Sequence, residues 1–342
     1  MSSEHGLAPA GTAALDRTVV GDRRLPDFFI VGHAKCGTTA LYDMLRQHRR
    51  IYMPDHKEPW FFARSNPHPQ TAGERSIAFT GRRMETLEDY LALFAAAKPD
   101  QLLGEASTSY LWSTTAAKAI ADVQPTARIV AILREPASFL RSLHLQLLTN
   151  RHETEKDFGK ALALDDARRE DRNIPKYSYW PQALIYSDRV RYVEQLRRYH
   201  AAFPSEQVLV IIYDDFRADN AATVRRVLQF LDLDDDLPVE VTEANPTIAV
   251  RSTHLNSLTR VIGAGRGPVS GAVKSTLKAL TTRRLREDFV YPLRDRLVYR
   301  YPGPPDEAFM LELRRRFKPE VEALSEYLGR DLVALWGYDH LD

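Results

Sequence analysis

The sequence predicts an α/β fold, a doubly wound parallel sheet flanked by helices, on three observations. Short apolar runs recur at Asp27–Val31, Arg128–Leu133 and Gln207–Tyr213, the pattern of strands buried on both faces. Stretches with apolar residues at helical spacing separate them, and strands alternating with helices build parallel sheets with right-handed crossovers. The composition is that of a packed chain: 342 residues, 44% hydrophobic and 27% charged, which excludes a mostly disordered protein.

Residues 1–24 are rich in Gly, Ala, Ser and Arg without periodicity, so a disordered tail is expected there. Residues 25–342 are expected to form one domain. The first strand, Asp27–Val31, runs into Gly32, and a helix from Thr38 to His48 follows with Leu41, Leu45 and His48 on one face. Thr86-Leu-Glu-Asp89 reads as a capping box with Asp in place of Glu, opening a helix to about Ala97. After Arg128–Leu133, Pro136 starts a helix to about Asn150, with Phe139, Leu140, Leu143 and Leu147 on one face. Helices are expected over 157–170 and 188–203, then the third strand, then a helix over 220–231. GAGRGPVSG at Gly263–Gly271 reads as a linker or lid. Two C-terminal helices are expected, Asp306–Phe317 and Pro319–Leu328, the second stopping at Gly329.

Lys and Arg number 47 against 46 Asp and Glu. A near-neutral chain is not a general nucleic-acid or membrane-surface binder, although a local basic pocket remains open to it. Cys36 is the single cysteine, which excludes an intrachain disulfide and a Cys-rich metal centre. No metal is expected. The N-terminal stretch has no apolar core of a secretory signal, and the longest apolar runs fall far short of a membrane span. The expectation is a cytoplasmic location with no membrane partner.

Gly32-His-Ala-Lys35-Cys36-Gly37-Thr38-Thr39 lies between a predicted strand and a predicted helix. Glycines let backbone N–H groups turn toward an anion, and the helix N-terminus adds partial positive charge. Lys35 adds a full charge, and Thr38 and Thr39 add hydroxyls. The spacing matches a nucleotide P-loop with one change: position 38, where that loop needs Lys, holds Thr. The expected architecture is therefore the three-layer sandwich of P-loop NTPase-like proteins. Without a ligand, the same segment is a Gly-rich strand-to-helix turn.

PDFFIVGHAKCGTTALYDML resembles the 5′-phosphosulfate loop of sulfotransferases that use PAPS, 3′-phosphoadenosine 5′-phosphosulfate, in the heparan sulfate branch. The resemblance implies that Lys35, Cys36, Gly37, Thr38 and Thr39 hold the 5′-phosphate and sulfuryl group. Cys36 stands where the family often has a small residue. Arg134-Glu-Pro after the second strand, with Ser142 eight residues beyond the Arg, is similar to the family's 3′-phosphate motif. An Arg at a strand's carboxyl end suits a phosphate in its own right. Arg251, in Asn245–Asn256, stands where the family places a late basic loop over the 3′-phosphate and adenine.

Glu58 precedes Trp60-Phe61-Phe62. Burial against such rings disfavours the charged form and tunes a carboxylate as a base. The bland alternative is an ion pair with Lys57 or Arg64. In the heparan sulfate enzymes the corresponding E-x-x-F-F glutamate acts as general base, so the resemblance implies that role for Glu58, with Lys35 assisting. Gly104–Tyr110 resembles the segment lining the family's acceptor site, with Ala106 where some carbohydrate enzymes have Lys. His33, inside the phosphate loop, is a further candidate to touch a ligand. The implied reaction is sulfuryl transfer from PAPS to a hydroxyl or amine of a small molecule or glycan. A small-molecule kinase with a displaced lysine and a non-catalytic nucleotide-binding module stay open at this point.

Overall fold

The computed structural model describes residues 19–20, 23–63, 84, 86–176, 178, 180–234, 249–250, 299–300 and 303–341. A five-stranded parallel sheet forms the middle layer. Its strands are β1 (Phe28–Ile30), β2 (Ile51–Tyr52), β3 (Leu102–Ala106), β4 (Arg128–Leu133) and β5 (Val208–Ile212). The order across the sheet is β2-β3-β1-β4-β5, every neighbouring pair parallel. The apolar runs account for β1, β4 and β5. The other two escaped because β2 has two residues and β3 carries Gly104 and Glu105 in its centre. Gly104 is required there, since a Cβ would lie 2.2 Å from the Phe28 ring and the Met53 sulfur.

The strand order locates the crevice. β1 and β4 are neighbours, yet the chain leaves β1 for the β2 edge and leaves β4 for the β5 edge. The connections diverge and leave a cleft above the carboxyl ends of these two strands, where ligands of open α/β sheets bind. Two helices open at that cleft. Helix α1 (Thr38–Leu45) follows β1, and helix α4 (Pro136–Thr149) follows β4.

Helices α2 (Leu87–Leu91) and α3 (Ala116–Val123) flank β3 in the chain. The Thr86 hydroxyl caps α2 by accepting from the Asp89 N–H, and the helix ends in a tight turn over Ala92–Phe94. The helix expected over 157–170 is two short ones, α5 (Phe158–Ala163) and α6 (Asp165–Arg169). Asp165 and Arg168 face inward, which breaks the run. Asp165 accepts from the N–H groups of Tyr186 and Ser187, and Arg168 pairs at 2.8 Å with buried Glu153. The expected 188–203 helix starts late, as α7 (Tyr192–Ala202) after a tight turn over Ser187–Val190. Helices α8 (Tyr213–Ala218) and α9 (Asn220–Phe230) follow β5.

The two expected C-terminal helices are one, α10 (Glu307–Leu328), which runs through Pro319. Proline in a helix interior costs about 3 kcal/mol. An apolar stripe on both sides of it, Met310, Leu313, Phe317, Val321 and Leu324, is buried, and the helix packs on α4 and α7. Burying a large apolar side chain contributes roughly 1.5–3 kcal/mol, so the stripe outweighs the break. Gly329 ends the helix in the left-handed region, and α11 (Leu332–Leu335) follows. The tail before residue 19, Arg64, Arg251 and the Gly263–Gly271 linker lie outside the described residues.

Gly32 sets how closely β1 approaches β4. A Cβ there would stand 2.6 Å from the backbone nitrogen of Ile132. Gly32→Ala is expected to cost roughly 1–3 kcal/mol, the usual penalty of overpacking. Urea unfolding measures this as a lower midpoint at unchanged slope.

Candidate active site

Gly37 starts the site. It caps α1 in the left-handed conformation, φ 86°, and a Cβ there would press on the Phe216 ring at 2.9 Å. The turn before it is strained, since Lys35 also takes a positive φ of 66°. Arg134 holds that strain. Its guanidinium donates to the Lys35 carbonyl at 2.9 Å and lies over the Tyr213 ring, while its own carbonyl accepts from the Tyr192 hydroxyl at 2.9 Å. In Arg134-Glu135-Pro136, only the arginine turns to the cleft. Glu135 caps α4 by accepting from the Ala137 and Ser138 N–H groups, and Pro136 begins the helix.

These elements enclose a cavity of about 430 Å³. Lys35, Gly37, Thr38, Thr39, Glu58, Arg134 and Ser142 all line it, so residues far apart in sequence meet at one place. Burial and the Arg134 charge hold the Lys35 ammonium below the ordinary lysine range. Two candidates are not part of the lining. The Cys36 thiol is fully buried, and desolvation pushes it up to about 12, so it fills the core beneath the loop. His33 is also fully buried. Gln195 spends its amide N–H groups on the Asp188 and Arg189 carbonyls. Its Oε1 therefore accepts from His33 Nε2 at 2.7 Å, and His33 Nδ1 accepts from Arg189 Nη2 at 3.3 Å. Burial and then the Arg189 charge keep this imidazole neutral.

Glu58 sits on a second strained turn, with φ 63° at Glu58 and 53° at Trp60. Its N–H donates to the Ala106 carbonyl at the end of β3. The carboxylate is not wrapped in apolar rings as the sequence suggested. It accepts from Lys57 Nζ at 2.6 Å, Trp60 Nε1 at 2.9 Å and the Thr108 N–H at 2.8 Å. These donors fix the orientation of the carboxylate. The Lys57 ion pair and the cavity position hold together, so the bland reading does not displace the other.

Thr108, Ser109 and Trp112 from the segment after β3 line the cavity, whereas Glu105, Ser107 and Tyr110 lie beneath it, fully buried. Ala106 is buried too, and the lysine on this wall is Lys57. Lys57, Trp112, Trp180 and Arg189 are lining residues that no motif singled out. The tryptophans form a chain: Trp60 meets Trp180 at 4.7 Å, Trp180 meets Trp112 edge-on at 5.9 Å, and Arg189 lies 4.1 Å over Trp112.

A family profile described as "Sulfotransferase family" matches residues 26–236. The chain belongs to the sulfotransferase family, and the kinase reading of the phosphate loop falls with that. A crystal structure of a sulfotransferase from Alicyclobacillus acidocaldarius is similar, at 27% identity and TM-score 0.61, covering 91% of this chain and 98% of that one. Human carbohydrate sulfotransferase 15 is 26% identical over 257 residues, 62% of this chain and 44% of the relative. Human bifunctional heparan sulfate N-deacetylase/N-sulfotransferase 3 is 28% identical over 216 residues, 61% of this chain and 22% of the relative. The chain thus spans less than half the length of either relative.

Glu105 tests the floor of the site. It accepts from the Tyr90 and Tyr110 hydroxyls at 2.9 Å, and burial pushes its carboxyl up to about 7. A carboxyl raised in the folded state binds more protons there than in the unfolded chain. Stability is therefore lost as pH climbs from the ordinary carboxylate range to about 7. Glu105→Gln should flatten that slope, read as melting temperature against pH from 4 to 8. An unchanged slope would show that the Glu105 carboxyl titrates alike in the folded and unfolded chain.

Proposed function

We propose that this chain transfers a sulfuryl group from PAPS to a hydroxyl or amine of a glycan or small molecule. The observation that carries the reading is the meeting of Lys35, Arg134, Ser142 and Glu58 on one cavity at the carboxyl ends of β1 and β4. Lys35, Thr38, Thr39 and the α1 N-terminus form a cradle for the 5′-phosphate and sulfuryl group. Arg134, anchored through the Lys35 carbonyl, and Ser142 on α4 take the 3′-phosphate. In the reaction the acceptor oxygen or nitrogen attacks sulfur, the bond from sulfur to the phosphate oxygen breaks, and PAP leaves with the electron pair. Glu58 takes the acceptor's proton. Lys35 offsets the charge growing on the departing phosphate, the type of preorganised electrostatic help that dominates many active sites. Trp60, Trp112 and Trp180 offer apolar faces beside Glu58, which suits the ring of a sugar. The carbohydrate sulfotransferase relatives support a glycan acceptor.

PAP without magnesium should raise the melting temperature more than ADP or ATP with magnesium. A ligand at a hundredfold excess over Kd stabilises by about 2.7 kcal/mol. Arg134→Ala should weaken PAP about tenfold or more while leaving an analogue without the 3′-phosphate less affected, as expected for a charged hydrogen bond. Equal losses for both ligands would make Arg134 a tie of the loop and not a phosphate reader.

Glu58→Gln keeps the shape and most hydrogen bonds but cannot take a proton. Melting temperature and PAP affinity are expected to stay near wild type, while the single-turnover rate falls roughly 10²–10⁴-fold. A near wild-type rate would remove Glu58 from the reaction.

A further inference from the structure

Arg189 is the cavity residue whose burial the proposed reaction does not explain. It is 4% exposed and lines the cavity. Among the described residues no carboxylate lies within ion-pair distance of it. Asp188, its neighbour, is paired with Arg169 at 2.8 Å. One guanidinium nitrogen, Nη2, is spent on His33 Nδ1, while Nε and Nη1 are buried with no hydrogen-bond partner. Burial lowers its pKa to about 9. Orphaned buried donors on a charged group are costly, and an uncompensated buried cation more so.

The surroundings hold the guanidinium in place at that cost. Neutral His33, fixed by Gln195, accepts from it on one side, and the Trp112 ring lies 4.1 Å away on another. The His33 ring packs against both Phe139 and Tyr192, which also touch each other. The guanidinium is thus fixed at a cavity wall with two donor atoms unspent, and an oxyanion has the acceptors and the charge to satisfy them.

We propose that Arg189 is an oxyanion-binding residue of this site, and that His33 and Gln195 are its positioning residues. The shared chemistry is a sulfonate, sulfate or carboxylate oxygen accepting from Nε or Nη1. It can come from the sulfuryl group of the donor or from an anionic substituent on the acceptor. The first source rests on the sulfuryl-transfer reading; the second needs only a ligand in the cavity.

The test uses the full chain and the variants Arg189→Gln and Arg189→Met. Inorganic sulfate is titrated with tryptophan fluorescence as readout, because Trp112 lies against the guanidinium. PAP and PAPS affinities are measured by calorimetry at constant ionic strength. Wild type is expected to respond saturably to sulfate, and both variants to lose that response. With the donor as source, Arg189→Gln weakens PAPS on the order of tenfold or more and leaves PAP within about twofold. With the acceptor as source, both nucleotides bind as in wild type, and the loss falls on glucuronic acid or glucose 6-sulfate and spares glucose. Unliganded Arg189→Met melts no lower than wild type, since it removes an uncompensated buried cation. A structural arginine gives the opposite: a lower melting temperature in both variants, with the sulfate response kept and PAP and PAPS shifted together or not at all. That result overturns the inference. If wild type binds neither nucleotide, the donor reading fails on its own, and the sulfate titration still decides for or against Arg189.

Discussion

The hydrogen bond from the Arg134 guanidinium to the Lys35 carbonyl is the tie on which the site depends. It joins the end of β4 to the strained turn after β1. The same arginine lies over Tyr213 at the start of α8, and its carbonyl takes the Tyr192 hydroxyl from α7. Four segments are thereby referred to one residue. The left-handed backbone at Lys35 costs about 1–3 kcal/mol, and this tie helps hold it. Lys35 then faces the cavity instead of bulk water.

A second strained turn faces the first. Glu58 and Trp60 also have positive φ, and the surrounding structure over-determines them. The Glu58 N–H is bound to the end of β3, the Trp60 N–H to Ser107 Oγ, and the Glu58 carboxylate to Trp60 and Thr108. Two strained turns that face one cavity mark a place where geometry, not economy of folding, was kept. Below that turn, Glu105 with Tyr90 and Tyr110 forms a buried polar floor. Its hydrogen bonds fix the β3 end without entering the cavity.

The charges of the cavity are predominantly positive. Lys35, Lys57, Arg134 and Arg189 line it with Glu58 as the acidic group, in a chain whose net charge is only +1. Overall neutrality and a local cationic focus are compatible, because low-dielectric walls concentrate the field of a few charges. The site can attract a polyanionic nucleotide without the broad basic surface that nucleic acid requires.

Local pattern in the sequence determined β1, β4 and β5, the turn around Gly37 and the cap of α4, because each depends on residues adjacent along the chain. It also marked Lys35 and Arg134 by their strand-end contexts and Glu58 by the aromatic cluster after it, while Ser142 was marked by the resemblance to the family motif. Tertiary structure alone decided the rest. β3 was illegible because Gly104 and Glu105 interrupt its apolar run, and only packing against Phe28 and Met53 shows why the glycine is there. Pro319 looked like a break, and the long-range burial of the α10 stripe overrides it. Cys36 and His33 lie in the loop by sequence but face the core, since a turn with alternating positive φ sends neighbouring side chains in different directions. Arg189 had no motif at all. That no carboxylate pairs with it among the described residues is a fact of three dimensions: His33 from the first loop and Trp112 from the segment after β3 meet its guanidinium, while Gln195 from α7 holds its carbonyl.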